Sequence, residues 1–133
     1  MLAKPAPRPM PQILPCVLVV DDDAALLSSL EFALRAEGYS VRGCTDSRTA
    51  LSGAAEAPAC MVIDYRLPDM DGTELAACLR RQGLDAPLIL ITTNPDARCR
   101  AKAAKCGAVI VEKPLLDDKL VRQIRSLTTP VAD

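Results

Sequence analysis

Residues 16–23 read CVLVVDDD: an unbroken apolar run passes directly into three aspartates. Continuous rather than alternating apolarity points to a strand covered on both faces, as in a parallel sheet. Three further runs of this kind follow at residues 60–63, 88–91 and 109–111, with a weaker fifth strand at 40–44. Helical patterns separate them. Residues 24–37 carry Leu26, Leu27, Leu30 and Leu34 at helical spacing, and Gly38 supplies a C-terminal stop. Residues 47–56 form a short Ala-rich helix. Residues 73–82 form a third, with Asp71 and Glu74 spaced as a capping box. Asn94 and Pro95 read as N-cap and first position of a fourth, which ends before Gly107. The last, near 116–127, places Leu116, Leu120, Ile124 and Leu127 on one face. Strand and helix alternate five times, which predicts a doubly wound α/β domain with right-handed crossovers.

Composition sets the outer bounds. The chain has 133 residues, enough for one ordinary domain. Phe32, Tyr39 and Tyr65 are its only aromatics, so the core must be aliphatic. A net charge of −1 gives no overall attraction to nucleic acid or anionic lipid, and direct DNA binding is not expected. Six cysteines occur without a CxxC pair, and there is no histidine, so the usual zinc spacings fail. A reduced, cytoplasmic setting suits such thiols better than a disulfide scaffold. No stretch reaches the ~18 apolar residues of a membrane span, and prolines interrupt any signal-peptide core. Pro5, Pro7, Pro9, Pro11 and Pro15 make residues 1–15 an expected disordered, extended leader. The globular domain is expected at 16–127 and a short tail at 128–133, with no room in the sequence for a C-terminal effector domain.

In doubly wound folds ligands sit beyond the carboxyl ends of the strands. Here those ends carry Asp21, Asp22 and Asp23; Asp64; Thr92 and Thr93; and Glu112 and Lys113. Two carboxylates about 5 Å apart repel by roughly 3 kcal/mol at an effective dielectric near 20. Gathering Asp21, Asp22 and Asp64 therefore calls for a cation or a proton. Mg2+, which takes one or two carboxylates plus water and phosphate oxygens, suits these hard oxygen ligands. Lys113 adds a point charge for a phosphoryl oxygen, and Thr92 a hydroxyl donor. A carboxylate can itself be the nucleophile that accepts a phosphoryl group. Each residue alone has an ordinary explanation: Asp23 as a helix N-cap, Lys113 as surface, Thr92 as a strand former. Their joint placement on successive strand ends is the specific signal.

With these residues in place, the chain resembles a bacterial response-regulator receiver domain of the stand-alone, chemotaxis-regulator kind, over roughly residues 16–127. The carrying stretches are VLVVDDD at 17–23, VIDYRLPDMDG at 62–72, LILITT at 88–93 and EKP at 112–114. The resemblance implies a flavodoxin-like receiver fold, a five-stranded parallel sheet in the order 2-1-3-4-5. It implies Asp64 as phosphoacceptor and Asp22 and Asp21 as Mg2+ ligands, directly and through water. The backbone carbonyl of Arg66 would be a further ligand, Lys113 the phosphoryl partner and Thr92 the switch hydroxyl. The Lys113–Pro114 bond is often cis in this family. The implied function is Mg2+-dependent acceptance of a phosphoryl group from a histidine kinase or phosphotransfer protein, switching the binding of a downstream protein target. Such a domain is a signalling phosphoacceptor that assists its own phosphorylation and dephosphorylation.

Departures from the family pattern concern the output and the mouth of the site. Ile110 stands where a Tyr or Phe usually swings inward, and the stretch from Gly107 to Lys113 is one residue shorter than is common. Thr93 replaces a small residue, and Arg66 and Asn94 flank the site. The fourth helix places Arg98, Lys102 and Lys105 on one stripe, read as a solvated face or as a surface for an acidic partner. A haloacid-dehalogenase-type phosphatase is the rival enzyme reading, built on Asp21 and Asp23, but no acidic pair follows a later strand; Asp117 and Asp118 open the last helix instead. A receiver that no longer uses phosphate keeps none of the acids by necessity, whereas all are present here. A flavodoxin would place a Ser/Thr/Gly-rich phosphate loop where this chain has three aspartates.

Overall fold

The computed structural model describes residues 14–53, 57–115 and 117–128. Five strands alternate with five helices: β1 (Cys16–Val20), α1 (Ala24–Ala36), β2 (Ser40–Cys44), α2 (Ser47–Ser52), β3 (Cys60–Asp64), α3 (Gly72–Arg81), β4 (Leu88–Thr92), α4 (Ala97–Lys105), β5 (Val109–Glu112) and α5 (Lys119–Thr128). All neighbouring strands pair in parallel, in the order β2-β1-β3-β4-β5. The sheet is the one expected from the apolar runs.

Strand pleating sends successive side chains to opposite faces, and each face builds its own core. Val17 and Val19, Cys60 and Val62, and Ile89 and Ile91 pack under α1 and α5, against Leu27, Leu30, Leu34, Leu120 and Ile124. Leu18 and Val20, Met61 and Ile63, and Leu88 and Leu90 pack under α2, α3 and α4, against Ala50, Leu75, Leu79 and Ala103. Burial on both faces is why these strands read as continuous apolar runs. Burying one Leu or Ile fully contributes about 1.5–3 kcal/mol, so the two layers dominate the favourable side of folding. Phe32 remains 79% exposed, and the core is aliphatic apart from Tyr39. All six cysteines are free thiols, and burial pushes Cys60 up to about 12, the behaviour of a packing residue rather than a reactive one.

The boundaries differ from the sequence reading in informative places. β3, β4 and β5 each run one residue further, because the ladder continues through Asp64↔Ile91 and Thr92↔Glu112 although the side chains have become polar. The fourth helix starts at Ala97, not at Pro95. Asn94 adopts φ 48°, a left-handed conformation that is not the extended one of an N-cap, whereas the Asp96 carboxylate accepts from the Cys99 amide at 2.8 Å. The last helix begins at Lys119, whose amide is held by the Asp117 side chain at 3.0 Å. Leu116, residues 54–56, the leader up to residue 13 and the tail from 129 lie outside the described residues. Among the described residues no helix is long and apolar enough to cross a membrane.

Candidate functional site

The chain winds outward in both directions from β1 and β3, so a crevice opens at the carboxyl ends of these two central strands. The register Val20↔Ile63 brings the next residues, Asp21 and Asp64, side by side across that crevice. Asp21 is fully buried, Asp64 is 5% exposed and Thr92, on the next strand, 2%. Asp22 is exposed. The three consecutive aspartates thus have three different environments. Asp23 turns to the start of α1, where its carboxylate accepts from the Ala25 amide at 3.0 Å and the Leu26 amide at 3.1 Å. It is a helix cap.

β5 supplies the cation. The Lys113 amide donates to the Thr92 carbonyl at 2.8 Å, and the Lys113–Pro114 bond that follows is cis. Lys113 Nζ donates to Asp64 Oδ2 at 3.1 Å and lies 3.0 Å from Asp21 Oδ2. The second contact is an ion pair without hydrogen-bond alignment, so Asp21 Oδ2 is buried with no hydrogen-bond donor. The other oxygens are held by backbone: Asp21 Oδ1 accepts from the Asp23 amide at 2.8 Å, and Asp64 Oδ1 from the Arg66 amide at 3.1 Å.

Burial raises Asp21 above the ordinary carboxylate range, and the nearby Asp64 charge adds to this; the Asp23 amide and Lys113 offset it only in part. Burial acts against the Lys113 ammonium too, but its two carboxylate partners outweigh it and its pKa is raised. The lysine is therefore a fixed positive charge at neutral pH.

Asp21, Asp22 and Asp64 offer carboxylate oxygens within 4.8 Å of one another. At that spacing each pair repels by about 3 kcal/mol at an effective dielectric near 20. One lysine cannot neutralise three carboxylates. An all-oxygen donor set, excess negative charge and a buried oxygen lacking a donor fit a hard divalent cation such as Mg2+. Asp21→Asn tests the electrostatics without the ion. A carboxylate whose folded-state pKa is raised stabilises fully below its unfolded value, 3.8, and loses that contribution as pH rises through the folded value. Ionised Asp21 therefore opposes folding at pH 7. Asparagine keeps the acceptor for Asp23 and removes the charge, so the variant is expected to be more stable without metal by about 1 kcal/mol, roughly 4 °C in Tm. Any Mg2+-induced rise in Tm should shrink in the variant as well. Melting curves with and without Mg2+ check both, and a lower metal-free Tm would contradict the burial argument.

The loop after β3 explains a glycine that the sequence left unexplained. A Cβ on Gly72 would lie 2.5 Å from the Asp64 carbonyl oxygen, and the Gly72 amide donates to the Tyr65 carbonyl at 2.8 Å. The start of α3 is pressed onto the backbone of Asp64, and only glycine permits it. Gly72→Ala is expected to destabilise the domain by about 2 kcal/mol and to shift Asp64, with denaturant unfolding as the measure. An unchanged midpoint would show that the loop yields freely.

An opening of about 300 Å3 above these groups is lined by Asp64, Arg66, Thr92, Thr93, Asn94 and Lys113. Asp21, Asp22, Asp64 and Lys113 are thus gathered, with Thr92 beside them and Thr93 and Asn94 at the mouth. Glu112 is not part of the group. Its side chain leaves on the opposite side of the strand from Lys113 and pairs with Arg100 of α4 at 3.5 Å. Asp118 pairs with Arg122 on α5, and with Asp23 spent on capping, the phosphatase arrangement is not assembled. Ile110 is half-buried against the core beneath α2, α3 and α4. Two contacts had no signature in the sequence: Ser47 of α2 donates to Asp69, and Lys102 of α4 to Asp71. Their partners lie 22 and 31 residues away.

Fold and site together define a doubly wound α/β domain with an acidic, lysine-bearing crevice at its topological switch point. The family model for the response regulator receiver domain matches residues 17–125. The transcriptional regulatory protein FixJ of Bradyrhizobium diazoefficiens is 37% identical over 114 residues, covering 83% of this chain and 55% of FixJ. A CheY-like response regulator receiver domain protein from Methanospirillum hungatei superposes with a TM-score of 0.76 at 31% identity, covering 85% of this chain and 92% of that one. The chemotaxis protein CheY4 of Vibrio cholerae shares the fold, with a TM-score of 0.80 at 24% identity over 86% of this chain and 98% of its own. The chain belongs to the response regulator receiver family. It spans about half the length of the curated relatives it matches.

Proposed function

We propose that this receiver takes a phosphoryl group on Asp64, with Mg2+ held by Asp21, Asp22, Asp64 and the backbone carbonyl of Arg66. The observation that carries the reading is the position of Lys113 Nζ, 3.1 Å from Asp64 Oδ2 and 3.0 Å from Asp21 Oδ2, at the floor of an opening wide enough to admit a donor. An oxygen of Asp64 attacks phosphorus, the bond from phosphorus to a donor nitrogen or oxygen breaks, and the leaving group departs through the opening. Phosphoryl transfer depends mainly on positioning and on charge placed against the equatorial oxygens. The Arg66 amide and Lys113 hold the Asp64 carboxylate in place. Lys113 then meets the added negative charge, and Thr92 donates its hydroxyl to a phosphoryl oxygen. Bound Mg2+ would supply the remaining charge neutralisation at the acidic cluster.

The donor class that membership of the receiver family supports is a phosphohistidine on a sensor kinase or phosphotransfer protein; these 133 residues contain no histidine to serve as that relay. The domain acts as a phosphoacceptor that assists its own phosphorylation and dephosphorylation, and its output is a change in binding to a protein target. Six free thiols support a reducing, cytoplasmic setting. The experiment is incubation with acetyl phosphate followed by intact mass measurement. One phosphoryl group is expected with Mg2+ and almost none with a chelator; labelling that ignores the chelator would contradict the metal site.

A further inference from the structure

We infer that Lys102 on α4 is a positioning residue for the phosphoacceptor loop, acting through Asp71 and coupling the placement of α4 to the phosphoryl state of Asp64. The inference rests on the proposed role of Asp64 and adds a route from it. The loop between Asp64 and Gly72 is closed on itself: Arg66 and Asp71 form an isolated antiparallel bridge, and Gly72 abuts the Asp64 carbonyl. Asp71 stands where the loop meets α3 and divides its carboxylate between two tasks. Oδ1 caps α3, accepting from the Thr73 amide at 2.8 Å and the Glu74 amide at 3.0 Å. Oδ2 accepts from Lys102 Nζ at 2.7 Å.

This is not a solvated surface pair. The side chains of Lys102 and Asp71 are 31% and 19% exposed, against 58% and 55% for the Arg100–Glu112 pair that also involves α4. A partly buried pair at short range is screened less than an exposed one. Burial alone would raise Asp71, yet the bonds from Lys102, Thr73 and Glu74 hold it well below the ordinary carboxylate range. The basic stripe read from the sequence is therefore split, with Arg98 and Lys105 exposed and Lys102 turned into the loop. Ile110, at the position of the family's mobile aromatic, is already seated against the core that includes Ala103 of α4. The Lys102–Asp71 pair is the polar contact between loop and α4, beside the apolar packing of Leu67 and Met70 against the core that holds Ala103. A displacement of the Asp64 backbone meets Gly72, moves its neighbour Asp71, and is passed to Lys102. Coupling of this kind is reciprocal, so breaking the tether must alter phosphoryl affinity as well as the α4 response.

The test is an NMR titration of the full chain with beryllofluoride and Mg2+, comparing the unsubstituted protein with Lys102→Met and Lys102→Arg. Lys102→Met is expected to change beryllofluoride affinity by about fivefold or more and to abolish the shifts of the α4 amides on binding. Lys102→Arg should restore both in large part. Affinity within twofold of the unsubstituted protein, with α4 shifts intact, would overturn the inference even if Tm fell, because a purely structural pair would behave in that way. A variant that does not fold is replaced by Asp71→Asn, which keeps the cap acceptor, weakens the ion pair and should give the same two changes. Failure of the unsubstituted protein to bind beryllofluoride at all would overturn the Asp64 reading, and this inference with it.

Discussion

Asp64→Asn is expected to abolish phosphoryl uptake while leaving the fold intact. Asparagine fills nearly the same volume and keeps an oxygen for the Arg66 amide, but its amide is no nucleophile, and among the described residues Asp64 is the carboxylate to which Lys113 donates a hydrogen bond. Asp21 is fully buried beneath the site, and Asp23 is committed to α1. The readout is the mass gain after acetyl phosphate with Mg2+, beside a melting curve. Residual labelling above a few per cent of the unsubstituted level, in a folded variant, would place the acceptor elsewhere.

Lys113→Met should show the second largest effect, and on two scales. The ammonium is the one cation within ion-pair distance of both Asp21 and Asp64 among the described residues. Losing a preorganised charge aimed at the transferring group is worth about 10²-fold in rate. Leaving two adjacent buried carboxylates unpaired should lower stability by about 2 kcal/mol, less than the roughly 3–5 kcal/mol of a fully buried pair because the crevice opens to solvent. The pH dependence has a definite sign. The Lys113 pKa is raised by its partners, so its contribution is complete below the unfolded value of 10.5 and fades only as pH rises through the folded value. The stability gap between the two proteins should therefore be constant through neutral pH and close on the alkaline side. The gap must also close in acid, where the carboxylate partners are neutralised; a gap that changed steeply across neutral pH would contradict the pairing. Acetyl phosphate kinetics and urea melts across pH measure both scales.

The strands were legible because of where they lie. β1, β3 and β4 are buried on both faces, which forces nearly every residue to be apolar, and their polar ends mark the sheet's carboxyl edge. The site followed from the topology: strands of one parallel sheet deliver their ends to one rim, so Asp21, Asp22, Asp64, Thr92 and Lys113 had to converge. Direction along the strand was harder. Glu112 and Lys113 are adjacent in sequence, yet pleating sends one to α4 and the other into the crevice. Helix starts were ambiguous wherever two capping residues stood close together, as with Asn94 and Asp96. The burial of Asp21 beside an exposed Asp22 depends on which core each strand position faces, which composition does not state. Gly72 and the Asp71–Lys102 pair depend on the docking of α3 and α4, and no local pattern encodes a partner 31 residues away.

The most direct measurement is the position of the acyl phosphate. Reaction with acetyl phosphate and Mg2+, reductive trapping with borohydride and peptide mass spectrometry identify the modified carboxylate by its conversion to an alcohol. The expected result is modification confined to Asp64. Modification of Asp21, Asp22 or a carboxylate outside the crevice, with Asp64 untouched, would contradict a sheet that places residue 64 between its lysine and its acids to receive the group.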